Sequence, residues 1–124
     1  VRAIKNKEVF KTSADNIVRD FITPLDFYNL IQAIIDFKSI NTALDCYTKS
    51  PISKFDLLDG LEEGFGLHYK VDKSVDIVNA TGAKLNYYST NWTAVNIDYN
   101  PKHTSKDGII QEISFFCNSS HRKI

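Results

Sequence analysis

In the first half of the chain apolar residues fall three and four apart, and in the second half they tend to alternate, so helices are expected to give way to strands. Ser13 is placed to cap a short helix in which Ile17, Val18, Phe21 and Ile22 form one apolar face, ending near Thr23. Thr23 then reads as the N-cap of a second helix with Pro24 at its first position. Phe27, Tyr28, Leu30, Ile31, Ile34 and Ile35 make that helix too apolar for an exposed surface, which predicts a central core helix. Ser39 to Tyr47 carries Ile40, Ala43, Leu44 and Tyr47 at helical spacing, with Pro51 as its stop. Ser53 caps a further helix bearing Leu57, Leu58 and Leu61, with Gly64 as its left-handed terminator.

After Gly66, β-branched and aromatic residues dominate and turn formers recur about every eight to twelve residues. The pattern predicts strands at Leu67 to Lys70, Ser74 to Val78, Lys84 to Ser89, Trp92 to Tyr99 and Ile109 to Cys117. In the fourth, Ala94, Asn96 and Asp98 alternate with Val95, Ile97 and Tyr99. In the last, Ile109, Ile113, Phe115 and Cys117 share a face. A polar, turn-rich loop from Asn100-Pro101 to Asp107-Gly108 joins these two. The expected fold class is α+β, with N-terminal helices packed on a C-terminal antiparallel sheet, in one domain over residues 1–124.

Composition narrows the classes. Fifteen basic residues balance fifteen acidic ones, so no global field draws the chain to nucleic acid or to an anionic membrane. No apolar run is long enough to span a bilayer, so no membrane insertion is expected. The chain begins at Val1 and holds no methionine, which suits a mature secreted product or a domain cut from a longer protein. Asn79-Ala80-Thr81, Asn91-Trp92-Thr93 and Asn118-Ser119-Ser120 are N-glycan acceptor patterns and point to a secreted, extracellular glycoprotein. In that setting Cys46 and Cys117 are expected to pair, the alternative being two buried free thiols. Two cysteines and three histidines show no metal-ligand spacing, and no dinucleotide fingerprint, phosphate-binding glycine loop or nucleophile elbow occurs. No metal and no cofactor are therefore expected.

Candidate chemistry centres on the histidines. His68 follows Glu62-Glu63 at a predicted helix-to-strand junction, His103 lies in the small basic loop with Lys102 and Lys106, and His121 belongs to a basic tail. His68 and His103 as acid and base, with Lys102 or Lys106 on a phosphate, would suffice for metal-independent RNA cleavage if they met in one cleft. A solvated strand end and a solvated loop explain the same residues. Tyr87, Tyr88, Trp92 and Tyr99 fall on predicted strands, where aromatic rings stack bases or serve as core. Glu62 and Glu63, adjacent on a helix, diverge and make no carboxylate pair.

Asp26-Phe27-Tyr28 opening an apolar helix, Ile40 to Leu44 with Pro51, and Phe55 to Phe65-Gly66 follow one another in an order that resembles the C-terminal half of the ribonuclease T2 family. Gly108 to Cys117, with its Glu112-Ile113 and final cysteine, is similar to that family's last strand. Lys7-Glu8-Val9-Phe10-Lys11-Thr12-Ser13 falls where the family has His-Glu-Trp-x-Lys-His-Gly, so Glu8 and Lys11 match but both histidine positions are lost. The resemblance implies a degenerate member without the usual activity. The leading expectation is a secreted, non-catalytic domain that binds a protein partner. The alternatives are a small ribonuclease of toxin or effector type acting on RNA, and an immunity or inhibitor protein.

Overall fold

The computed structural model describes residues 1–74 and 84–119, which form a mixed α+β structure. In chain order the elements are α1 (Arg2–Asn6), β1 (Val9–Thr12), β2 (Val18–Arg19), α2 (Pro24–Asp36), β3 (Ile52–Ser53), α3 (Lys54–Phe65), β4 (His68–Val71), β5 (Asn86–Tyr87), a 3-10 helix (Thr93–Ile97) and α4 (Ser105–Asn118). No described helix is long and apolar enough to cross a membrane.

Two helix starts form where local chemistry puts them. The Thr23 hydroxyl accepts the Asp26 N–H at 3.1 Å with Pro24 in the first turn, and the Ser53 hydroxyl accepts the Asp56 N–H at 3.2 Å. The second helix ends two residues later than expected, at Gly66 rather than Gly64, because Gly66 is the residue that takes φ +66°. Leu67 to Lys70 is recovered almost intact as β4, and Lys84 to Ser89 shortens to β5. Ser74 to Val78 lies mostly outside the described residues.

The sheets are not one C-terminal antiparallel layer. β1 pairs in parallel with β4, with Val9 opposite His68, so the chain's ends of helix α3 and strand β4 fold back on an N-terminal strand. β2 is the centre of the other sheet, antiparallel to β3 and parallel to β5. The segment from Ser13 is extended, not helical: Ser13 is buried and receives the Lys54 ammonium on its carbonyl at 2.7 Å and its hydroxyl at 3.1 Å. Ser39 to Tyr47 has no helix either, and Tyr47 at its end is buried.

The largest departure is at the C-terminal end, where Ile109 to Cys117 is helical. Ile109, Ile113 and Cys117 stand four apart and all face the same core, a spacing that fits a helix as well as a strand, and Phe115 points out to solvent. The start is set by a capping box, in which the Thr104 hydroxyl accepts the Asp107 N–H and the Asp107 carboxylate reaches back to the Thr104 N–H. Trp92 to Tyr99 is likewise not a strand, and its Thr93–Ile97 stretch is a 3-10 helix: Ala94 and Ile97, three apart, are buried, and Val95 between them is exposed.

Two cores result. Leu30, Tyr47, Ala94, Ile97 and Tyr99 form one, with Ala33, Ile34, Leu44 and Cys46 against it; Leu58, Leu61, Leu67 and Ile113 form the other, with Cys117 against it. Cys46 and Cys117 are thus free thiols packed in different clusters, which replaces the expected disulfide. α2 gives only Leu30 and its neighbours to the first core. Phe27, Tyr28, Ile31 and Ile35 are exposed, Ile35 at 69 %, so α2 is not the enclosed central helix its composition predicted.

Helix α4 crosses the start of α2 closely. A Cβ on Gly108 would lie 2.5 Å from Thr23 Cγ2, inside the side chain that caps α2. Gly108→Ala is expected to lower stability by about 1–3 kcal/mol through this overpacking, read as a lower urea midpoint at unchanged slope. An unchanged midpoint would show that α4 does not sit against Thr23.

Candidate ligand-binding cleft

Asp20 follows β2 and gathers a cluster of largely buried polar contacts. Its carboxylate accepts the Thr48 N–H at 3.0 Å, the Thr48 hydroxyl, and the Ser105 hydroxyl at 2.7 Å. Ser105, fully buried, accepts the Phe21 N–H at 2.9 Å in turn, and its own N–H donates to the Ser50 carbonyl at 2.9 Å. Three distant stretches, residues 20–21, 48–50 and 105, are thereby tied together at one end of the first core.

Two connected clefts open beside this knot. One, of about 410 Å³, is lined by Tyr47, Tyr88, Trp92, Tyr99, Lys49 and Asn100 among others; the second, of about 380 Å³, by Asp45, Cys46, Ile22 and Tyr87. Asp20, Tyr88 and Ser89 belong to both, so the two form a continuous depression. The Ser89 hydroxyl donates to Asp45 at 2.5 Å across its floor. Tyr99 forms a buried wall, its hydroxyl donating to the Tyr47 carbonyl at 2.7 Å and its ring set edge-on to Tyr47 at 5.2 Å. Tyr88 and Trp92 offer open ring surface, Trp92 being 63 % exposed.

Cations sit at the rim. The Arg19 guanidinium donates to the Val18 carbonyl at 2.8 Å and the Lys84 carbonyl at 2.7 Å and lies 5.8 Å from the centre of the Tyr87 ring. The Lys84 ammonium stands 5.2 Å from the same centre. Burial pushes the Cys46 thiol up from its ordinary value, so it remains a thiol at neutral pH rather than a nucleophilic thiolate. The cleft thus combines flat aromatic surface, hydrogen-bonding carboxylates and hydroxyls, and positive charge on one edge. Such a set suits a ligand with a ring, hydroxyls and an anionic group.

The residues singled out from sequence lie elsewhere. His103 is held at the first turn of α2, its ring Nδ1 3.2 Å from Asp26 Oδ2, and the Lys102 and His103 N–H groups donate to the same carboxylate at 2.6 and 3.1 Å. Lys102 is thereby placed by its backbone, and the Lys106 stem lies against Gly60 of α3. His68, on β4, is exposed and 4.0 Å from Glu62. His68 and His103 therefore have different carboxylate partners on different elements, and neither lines the cleft described above. His121 lies outside the described residues. Among the described residues no group of three His, Cys, Asp or Glu side chains could hold a metal ion. The aromatic signal did reach the cleft through Tyr87, Tyr88, Trp92 and Tyr99. Asp20, Asp45, Thr48 and Ser89 carried no pattern that separated them from ordinary surface residues.

No protein-family model matches the chain, and no curated protein matches it in sequence. Solved structures do match its fold. UDP-glucuronic acid 4-epimerase from Bacillus cereus, in complex with UDP-glucuronic acid and NAD, superposes with a TM-score of 0.75 at 19% identity over 94% of this chain. A point mutant of that enzyme with UDP-4-deoxy-4-fluoro-glucuronic acid and NAD gives 0.76 at 19% identity, and the complex with NAD alone gives 0.72 at 15%. The chain spans only 36% to 38% of the length of those proteins. Their fold overturns the ribonuclease T2 resemblance, whose final strand is helix α4 here. With it go the secreted non-catalytic binding domain, the ribonuclease and the immunity-protein readings, since the solved structures that share this fold are UDP-glucuronic acid 4-epimerases.

Proposed function

We propose that this chain is the sugar-nucleotide-binding lobe of a protein built like the UDP-glucuronic acid 4-epimerases, with the cleft around Asp20, Tyr88 and Trp92 receiving the ligand. The observation that carries this reading is the fold shared over 94% of the chain with an enzyme solved in complex with both UDP-glucuronic acid and NAD. The choice of UDP-sugar over NAD follows from the residues present. The chain has no glycine-rich dinucleotide fingerprint, and among the described residues the sheets are of two and three short strands, unlike the doubly wound parallel sheet that cradles a dinucleotide. In the cleft, Tyr88 or Trp92 takes the base by stacking. Arg19 and Lys84 face the diphosphate, and Asp45, Ser89 and Asn100 take sugar hydroxyls.

Trp92 is the sole tryptophan, so its fluorescence reports on the cleft alone. Titration with UDP-glucuronic acid or UDP is expected to quench it, and Tyr88→Ala to weaken binding by about tenfold to a hundredfold. Quenching by NAD but not by UDP, or no response to either at millimolar ligand, would refute the assignment.

A further inference from the structure

The chain is neutral overall, but its charge is unevenly spread. Residues 1–12 and 68–74 hold six of the fifteen basic residues and two of the fifteen acidic ones, Glu8 and Asp72. Pairing of β1 with β4 brings the two segments together. Residues in register on neighbouring strands project to the same side, so Val9 and Lys11 share one face of this ribbon with His68 and Lys70. All four are exposed, Val9 at 57 %. The other face turns inward: Thr12 is buried, Tyr69 packs on the second core, and Phe10 lines an apolar cavity with Leu58, Leu61 and Leu67. Lys7 precedes β1 and Lys73 follows β4, so a further cation stands at each end of the ribbon.

Lys11 lies directly opposite Lys70, an arrangement in which like charges repel. One lysine is enough to guard a strand edge, so guarding does not account for the pair. Neutralisation from within does not account for it either. Among the described residues, Lys5, Lys7, Lys11, Lys70 and Lys73 enter no ion pair, and of the six cations only Arg2 meets a carboxylate, Glu8 at 3.7 Å. Asp72 is held below its ordinary value first by Ser74, whose hydroxyl and N–H donate to it at 2.6 and 3.0 Å, and then by the Lys11 and Lys70 ammonium groups. One carboxylate, already engaged, thus answers two cations.

We propose that this face rests on an anionic membrane surface, with Lys7, Lys11, Lys70 and Lys73 on the lipid headgroup phosphates and Val9 seated among them. Shape selects this occupant as much as charge does. A compact anion needs donors that converge and an acidic peptide needs a groove, yet none of Val9, Lys11, His68 and Lys70 lines the cleft described above or the cavity behind Phe10. A single strand of nucleic acid needs rings to stack on, and the face offers only the His68 imidazole, which lies beside Glu62. A plane of negative charge needs only cations spread across a surface and an exposed apolar side chain to enter the headgroup layer. The chain would lie on the bilayer without crossing it, since no described helix is long and apolar enough to span one.

The test is cosedimentation of the full chain with vesicles of phosphatidylcholine, with and without about 30% phosphatidylglycerol, at about 0.1 M salt. Partitioning is expected to be at least about tenfold stronger on the anionic vesicles and to be lost in about 0.5 M sodium chloride. Lys11→Glu with Lys70→Glu should weaken it by about thirtyfold or more, whereas Lys38→Glu with Lys102→Glu, the same change of net charge at exposed sites off this face, should weaken it far less. No cosedimentation, equal partitioning on both vesicles, or equal loss in the two double variants overturns the proposal. The salt response is read on the wild-type chain, so it stands even if a variant fails to fold. An RNA duplex that binds the chain more tightly than the vesicles and strips it from them would assign the face to nucleic acid and also overturn it.

Discussion

Asp26→Ala is expected to destabilise the protein by about 3–5 kcal/mol, the cost of removing one partner from a buried, hydrogen-bonded charge. Asp26 has no exposed surface. Its carboxylate accepts the Lys102 N–H at 2.6 Å, the His103 N–H at 3.1 Å and the His103 ring at 3.2 Å, so truncation strands two main-chain donors at once. The effect travels, because the same loop carries Thr104 into the cap of α4. Asp26→Asn keeps one acceptor oxygen and is expected to lose less. Thermal or urea unfolding measures both, and a midpoint unchanged in Asp26→Ala would show that the loop is held by something else.

The same group makes stability depend on acid. Burial alone would push the Asp26 carboxyl up, but the hydrogen bonds from Lys102 and His103 outweigh it and hold the group below its ordinary 3.8. A depressed folded value means the contribution is whole above the unfolded value and is lost as pH falls through the folded one. Wild-type stability should therefore drop below about pH 4 by a component that the Asp26→Asn curve lacks. Parallel curves for the two proteins would contradict this.

The second large effect is at Tyr99, which is 2 % exposed and touches both the first core and the cleft. Tyr99→Ala removes an aromatic ring set edge-on to Tyr47 and is expected to cost about 3–5 kcal/mol. Tyr99→Phe keeps the ring but leaves the Tyr47 carbonyl without its donor, for about 1–2 kcal/mol. Burial, and then the Cys46 thiol 3.5 Å away, push the Tyr99 phenol far above its ordinary value of 10.0. A raised folded value gives stability that is whole below the unfolded value and is lost as pH rises past it. Alkaline titration of wild type should show one tyrosine that ionises only as the fold is lost, and the Phe variant should lack it. Free ionisation of every tyrosine in the folded protein would place Tyr99 outside the core.

The chain's local chemistry was legible wherever a side chain acts on its own backbone. Thr23 with Pro24 and Ser53 start helices because each hydroxyl finds an N–H three residues on, whatever the rest of the molecule does. Strand β4 and the α+β class followed from composition in the same way. The capping box at Thr104 and Asp107 was equally local, but Gly108 and the alternating apolar residues after it pointed toward a strand.

Periodicity is where local information stopped. Residues four apart share a face in a helix and in a strand alike, so Ile109, Ile113 and Cys117 could not choose between them; packing against Leu58, Leu61 and Leu67 did. The same holds for α2, whose apolar residues announce burial without saying what covers them. The aromatic residues of the cleft were visible as types, but their convergence depends on Asp20 joining Thr48 and Ser105, partners 28 and 85 residues away. The sequence by itself determined the caps, the class and the amphipathic faces, because these arise from contacts within a turn or two. Only the tertiary structure decided which period each apolar run obeyed, that the two cysteines pack apart and which side chains formed a site, because those are settled by burial against residues far along the chain.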